Sequence, residues 1–182
     1  MKKLIYSIWE TVKIVLLALI IVLPIRYFIF QPFLVKGQSM EPNFQDNNYL
    51  VIDELSFRFR QPERGEVIVF RYPYNPSQRY IKRIIGLPGE TVEIKDQQIK
   101  ILNPAGKQVI LDENIYLPPD TQTLGQAFMT LGSNEYFVLG DNRQASSDSR
   151  AWGVLPRQNI IGRVLFRLLP FSEITVFAAP AY

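Results

Sequence analysis

The sequence predicts a mainly β protein, an antiparallel β-rich domain carried on a single N-terminal transmembrane helix. Three observations predict it. An uncharged apolar run fills the stretch between Lys13 and Arg26. Short apolar segments recur through the rest of the chain, separated by turn residues. Two of these segments alternate apolar and polar residues on either side of a two-residue turn, the pattern of a β-hairpin.

The N-terminal run resumes after Arg26 as Tyr-Phe-Ile-Phe. Counted over 14–30 it makes about 25 Å of helix at 1.5 Å per residue, short of the roughly 20 residues a span needs. It suffices if Arg26 snorkels and Trp9, Tyr27 and Phe28 sit at the headgroups. Pro24 falls near the end of the run, where a kink is tolerated best. A cleavable signal peptide is the competing reading, since Lys2 and Lys3 precede the apolar core. The bulky Arg26-Tyr-Phe-Ile-Phe-Gln-Pro-Phe33 that follows lacks a small-x-small cleavage site, which favours an uncleaved anchor. The expected organisation is a short cytoplasmic segment over 1–13, the anchor over 14–30 and an extracytoplasmic β-rich domain over 31–182. The basic residues Lys2, Lys3 and Lys13 ahead of the run lean the same way.

Within that domain, Tyr49-Leu-Val-Ile52 reads as a strand. Glu66-Val-Ile-Val-Phe70 is nearly all apolar, as in a strand buried on both faces. Tyr80 to Ile85 is a third, stopped by Gly86-Leu-Pro-Gly89. Thr91 to Lys95 and Gln98 to Leu102 form the hairpin around Asp96-Gln97. Glu135 to Leu139, Gly162 to Leu169 and Ile174 to Phe177 complete the set. The stretch between Leu102 and Ser133 is rich in Pro, Gly, Gln and Asp and reads as long loops.

Composition excludes several chemistries. The chain has no cysteine and no histidine. Thiol nucleophiles, iron–sulfur clusters, Ser-His-Asp triads and His- or Cys-ligated metals are therefore ruled out. A net charge of +3 is too small to suggest a nucleic-acid partner. Any proton transfer near neutral pH falls to a lysine, carboxylate or tyrosine of shifted pKa.

Three segments differ from their surroundings. Gly37-Gln-Ser-Met-Glu-Pro42 places Ser39 in a constrained turn, where an ordinary turn serine is the plain alternative. The nine residues from Phe30 to Ser39 reach at most about 30 Å, so that serine stays near the membrane if the span is real. In Tyr80-Ile-Lys-Arg-Ile-Ile85, each face of the strand carries one cation among apolar neighbours. Lys82 is either a snorkelling surface lysine or a desolvated one with a lowered pKa, the base a serine nucleophile needs where histidine is missing. The third segment, 140–153, gathers Asp141, Arg143, Asp148 and Arg150, which suggests ion pairs Asp141–Arg143 and Asp148–Arg150. A metal site from Asp141, Asn142 and Asp148 is disfavoured by those arginines.

Taken together, Phe30-Gln-Pro-Phe-Leu-Val-Lys-Gly-Gln-Ser-Met-Glu-Pro42, Arg64-Gly-Glu-Val-Ile-Val-Phe70, Tyr80 to Glu90 and the 140–153 segment resemble the successive boxes of the bacterial type I signal peptidases. The resemblance covers about a third of the chain, in the right order. It implies a single-pass, monomeric enzyme of the bacterial cell membrane. Its partners would be the signal peptides of exported preproteins and the lipid bilayer, with no cofactor and no metal. It implies Ser39 as nucleophile and Lys82 as general base. Ser146 would hydrogen-bond and orient the lysine amine, and Asp148 and Arg150 would form a supporting ion pair. Tyr80 and Gln38 would lie in the substrate groove. The oxyanion hole would use the Ser39 N–H. Some relatives add a serine hydroxyl two residues before the nucleophile, where this chain has Gly37. A substitute donor, a water or another backbone N–H, is therefore expected. Pro42-Asn43 also departs from the family's usual Pro-Thr. Two other readings remain, a self-cleaving repressor-type Ser-Lys protease and a non-enzymatic membrane-anchored β adaptor.

Overall fold

A computed structural model describes residues 2–28, 30–119, 121–170, 174–177 and 179. Helix α1 (Lys2–Phe28) leads into β1 (Phe30–Leu34), β2 (Tyr49–Asp53), β3 (Val67–Tyr72) and β4 (Asn75–Gly86). Then come β5 (Thr91–Lys95), β6 (Gln98–Leu102), β7 (Gln108–Ile110), β8 (Ala127–Thr130) and β9 (Glu135–Leu139). A one-turn helix α2 (Ser149–Trp152), β10 (Leu155–Pro156), β11 (Ile160–Leu169) and β12 (Thr175–Val176) follow.

The large sheet runs β1-β2-β11-β3-β4-β9-β10, with β12 paired to β11, and a second sheet runs β7-β6-β5-β8. Every pairing is antiparallel. The mainly antiparallel β domain is thus as the sequence predicts. Glu66 to Phe70 is buried throughout, as its apolar run implies. The β5–β6 hairpin keeps the expected register, Lys95 opposite Gln98. Asp96 (φ 51°) and Gln97 (φ 63°) both take the left-handed conformation that a tight hairpin turn demands. One core cluster joins Val35, Met40, Phe44, Leu50, Val69 and Ile81. A second gathers Phe70, Ile84, Tyr136, Val138 and Trp152, and a third links the two sheets through Ile85, Val92, Ile99 and Phe137.

One expectation needs correction. The stretch 103–133 is not loop alone, since β7 and β8 form the edges of the second sheet. The N-terminal helix begins at Lys2, well before 14, and Phe30 already belongs to β1. Among the described residues no helix is long and apolar enough to cross a membrane. Part of the expected span, the side chains of 21, 23–28 and 30 and the whole of residue 29, lies outside the described residues. Along α1, the side chains of Ile14, Val15, Leu16, Leu17, Leu19, Ile20 and Val22 are exposed.

Candidate active site

The site forms where three separate stretches meet: the turn after β1, the middle of β4 and the segment after β9. Met40 and Phe44 plug the turn into the first core cluster, and both are essentially fully buried. Phe44 N–H donates to Met40 O (2.9 Å), and Glu41 N–H to Gln38 O (3.2 Å). Gly37 enters the turn at φ +87°, which a side chain would strain. Its N–H donates to Asp46 Oδ1 (2.8 Å), so that N–H is already committed. This leaves Ser39 half-buried at the rim of a cleft of about 520 Å³, lined also by Phe33, Leu34, Tyr80, Lys82 and Ser147.

Lys82 reaches the same cleft from β4. It is 3% exposed, which excludes the snorkelling alternative. Its Nζ donates to Ser39 Oγ (2.7 Å) and to Ile81 O (2.9 Å). Burial pushes its pKa down from 10.5 to about 8, against the opposing pull of Asp148 and Asp141. Roughly one Lys82 in ten is then neutral at pH 7, against fewer than about one in a thousand for an exposed lysine. Tyr80 stacks on Tyr72 (centroids 4.8 Å apart) and places its ring 5.5 Å from Lys82 Nζ. A serine hydroxyl touching a desolvated amine can lose its proton to that amine and attack a carbonyl.

The segment after β9 holds these two stretches together. Asn142 N–H donates to Ser39 O (3.1 Å) and Asn142 Nδ2 to Gln38 O (3.1 Å). Asp148 forms a bidentate pair with Arg150, Nε to Oδ1 and Nη2 to Oδ2, both 2.8 Å. Asp148 Oδ2 also accepts from Gly140 N–H (3.1 Å). The expected Asp141–Arg143 pair is not made. Asp141 instead takes a bidentate bond from Arg83, Nε (2.8 Å) and Nη2 (2.6 Å), and a further bond from Asn43 Nδ2 (2.8 Å), while Arg143 pairs with Glu113 (2.5 Å). The chain turns over 141–145, where Arg143 Nε donates to Gly140 O (3.0 Å), and Arg83 is brought to Asp141 because β4 and β9 are adjacent. Ser146 also departs from expectation. Its Oγ is buried without a hydrogen-bond partner among the described residues, so the bond to the Lys82 amine is not made in this arrangement. Gln38 is exposed beside Ser39 and holds the turn through its carbonyl. Among the described residues no cluster of three or more acidic side chains could hold a metal ion.

The 112–126 stretch, silent in the sequence, braces this loop. Arg143 Nη1 also donates to Thr123 Oγ1, Arg150 Nη1 to Leu124 O (3.0 Å), and the Tyr116 ring lies 4.1 Å from the Arg83 guanidinium. Gly140 allows the close approach. A Cβ there would overlap Ser146 Oγ and the Ser39 carbonyl oxygen. Gly140→Ala is therefore expected to separate the turn from the loop. A displacement of about 1 Å would lower turnover on the order of a hundredfold, with a stability loss of about 1–3 kcal/mol from overpacking. Steady-state cleavage and a thermal melt read the two, and an alanine variant with unchanged turnover would refute this role for the contact.

The family described as "Signal peptidase, peptidase S26" matches residues 8–169. The chain is 35% identical over 172 residues to the probable signal peptidase I-1 of Synechocystis sp., covering 90% of this chain and 84% of that protein. It is 35% identical over 178 residues to the signal peptidase I of Leptolyngbya laminosa, covering 94% and 84%. To the signal peptidase IB of Staphylococcus aureus it is 31% identical over 178 residues, covering 92% of each chain.

Proposed function

This chain belongs to the signal peptidase family, peptidase S26, and on that premise we propose that it is a membrane-anchored Ser-Lys endopeptidase that removes signal peptides from exported preproteins. The observation that carries the mechanism is the 2.7 Å contact between Lys82 Nζ and Ser39 Oγ at a buried lysine. Neutral Lys82 takes the Ser39 proton as Oγ attacks the scissile carbonyl. It then passes that proton to the leaving amine. The acyl-enzyme is released by a water that the same amine activates. The Ser39 N–H is one oxyanion donor. The second comes from a group other than Gly37 N–H, which Asp46 occupies.

Substrate binding follows from the sheet. β9 pairs with β4 only from Arg83 onward, so the cleft side of 78–82 offers a strand edge. Phe33 and Leu34 of β1 face that edge across the cleft. An extended segment adding there would present alternate side chains to the cleft, suiting a small-x-small site. Ser146 would turn its unused hydroxyl to the amine once substrate is bound, with Asp148–Arg150 holding its loop. Tyr80 and Gln38 would flank the substrate. The enzyme acts as a monomer in the bacterial cell membrane, its β domain extracytoplasmic.

The anchor is α1. Its exposed apolar side chains at 14–20 have no protein face to cover them among the described residues, and lipid would cover them at no desolvation cost. Incubating the detergent-solubilised enzyme with a purified preprotein tests the reading. A cut after the small-x-small site supports it, and an intact preprotein sinks it. The same assay separates the repressor-type and adaptor alternatives, which leave preprotein whole. Removing residues 1–28 is expected to preserve cleavage of a soluble peptide while slowing that of membrane-inserted preprotein by about tenfold or more, through lost effective concentration. Equal losses on both substrates would show that α1 matters for folding instead.

A further inference from the structure

Asn43 lies four residues beyond Ser39, half-buried, and its side chain ties the serine turn to the segment after β9 and to the 112–126 stretch. A carboxamide nitrogen carries two N–H donors, and Asn43 spends both. Nδ2 donates to Asp141 Oδ2 (2.8 Å) and to Tyr116 O (2.8 Å). The backbone carbonyl of Asn43 accepts from Arg167 Nη1 of β11 (3.1 Å). Asp141, 1% exposed, is held in turn by both nitrogens of its bidentate bond from Arg83, and Arg83 is the neighbour of Lys82 in β4. Arg83 also donates to Gly65 O (2.8 Å) and stacks on Tyr116. The circuit closes through the Lys82 Nζ–Ser39 Oγ contact. Asn142, next to Asp141, clamps the Ser39 carbonyl from the other side.

We infer that Asn43 is a positioning residue that sets the separation of Ser39 and Lys82, by tying the serine turn through Asp141 and Arg83 to the strand that carries the lysine. The inference rests on the Ser-Lys reading. The residue type follows from the acceptors. A carboxylate oxygen and a backbone carbonyl both need a donor, and among side chains of this size only a carboxamide supplies two from one atom. Aspartate would present a second carboxylate to Asp141, and leucine would fill the space while leaving both acceptors short of a donor. Because Asn43, Asp141 and Arg83 do not line the cleft that holds Ser39 and Lys82, loss of the bridge falls on the geometry of attack and not on binding.

The test compares wild type with Asn43→Leu, Asn43→Gln and Asn43→Ser on a soluble Ala-x-Ala peptide, with thermal melts as the control. Leu is expected to lower kcat by about thirtyfold or more with KM within about twofold, the signature of a misplaced reacting pair. Gln, which keeps both N–H donors on a longer arm, is expected to fall between Leu and wild type. Ser keeps one donor and little bulk, so it decides the matter if Leu does not fold: a reduced kcat at unchanged KM supports the role, and wild-type kcat overturns it. A loss confined to KM, equal kcat losses in Leu and Gln, or a folded Leu variant within about threefold of wild type would also overturn it. Ser39→Ala is run alongside. If it is inactive while the Asn43 variants match wild type, only the positioning role fails. If it keeps its activity, the Ser-Lys reading itself fails.

Discussion

Lys82→Arg is expected to lower turnover by at least about a thousandfold, the scale of removing a general base. Arginine preserves the positive charge and nearly the length of lysine. If Lys82 served only as a counter-charge to Asp148 and Asp141, the swap would cost little. A general base must give up its proton, and a guanidinium does not do so at any usable pH. No histidine exists to stand in. The larger head group enters a site that leaves lysine 3% exposed, so a stability loss of about 1–3 kcal/mol is also expected. Circular dichroism separates that from catalysis. Single-turnover cleavage of a preprotein gives the rates, and an arginine variant within tenfold of wild type would rule out the Ser-Lys mechanism. The pH profile supplies a second reading. The base is active when neutral, so wild-type kcat/KM should rise as pH climbs through about 8 and level off above it. The residual activity of the arginine variant should lack that limb.

Ser39→Ala is expected to bring turnover below about 1% of wild type, because only the hydroxyl can form the acyl-enzyme. The fold should survive. Ser39 is half-buried at a cleft rim, and the turn is held by backbone bonds and by Met40 and Phe44. The alanine also removes one of the two oxygen partners of the Lys82 amine, leaving Ile81 O, at a site where burial already disfavours charge. Its pKa should fall further, which isotope-edited NMR of the lysine would register. Turnover above about 1% in a preparation free of wild-type enzyme would reject Ser39 as nucleophile.

Local pattern determined much of the fold. The β5–β6 hairpin is written in the alternation of Val92/Ile94 and Ile99/Ile101 about Asp96-Gln97, because side-chain period and turn conformation are local properties. β3 and β9 were readable for the same reason, as apolar runs that only a buried strand accommodates. Strands without such a pattern were not. β7 is exposed at all three positions and exists because β6 offers it a backbone edge. β1 continues the apolar run of the helix before it and becomes a strand through its pairing with β2. Helix α1 extends ahead of the apolar run, because charges at Lys2, Lys3, Glu10 and Lys13 mark limits for a lipid span but not for a helix.

The candidate site divides along the same line. Sequence by itself determined which residue types could do the chemistry. The absence of cysteine and histidine left lysine, carboxylate or tyrosine for proton transfer, and the resemblance carried by the boxes around Ser39 and Lys82 implied the serine–lysine pair. Only the tertiary structure decided what each touches. Ser39 and Lys82 are 43 residues apart and meet at 2.7 Å, and no spacing rule encodes such a contact. Asp141 chose Arg83, 58 residues away, over Arg143 two residues on, because sheet order sets which charges share a buried space while sequence proximity in a loop does not. The unpartnered Ser146 and the bridging Asn43 belong to the same class. What each touches depends on elements distant in the chain, brought together by packing of the whole core.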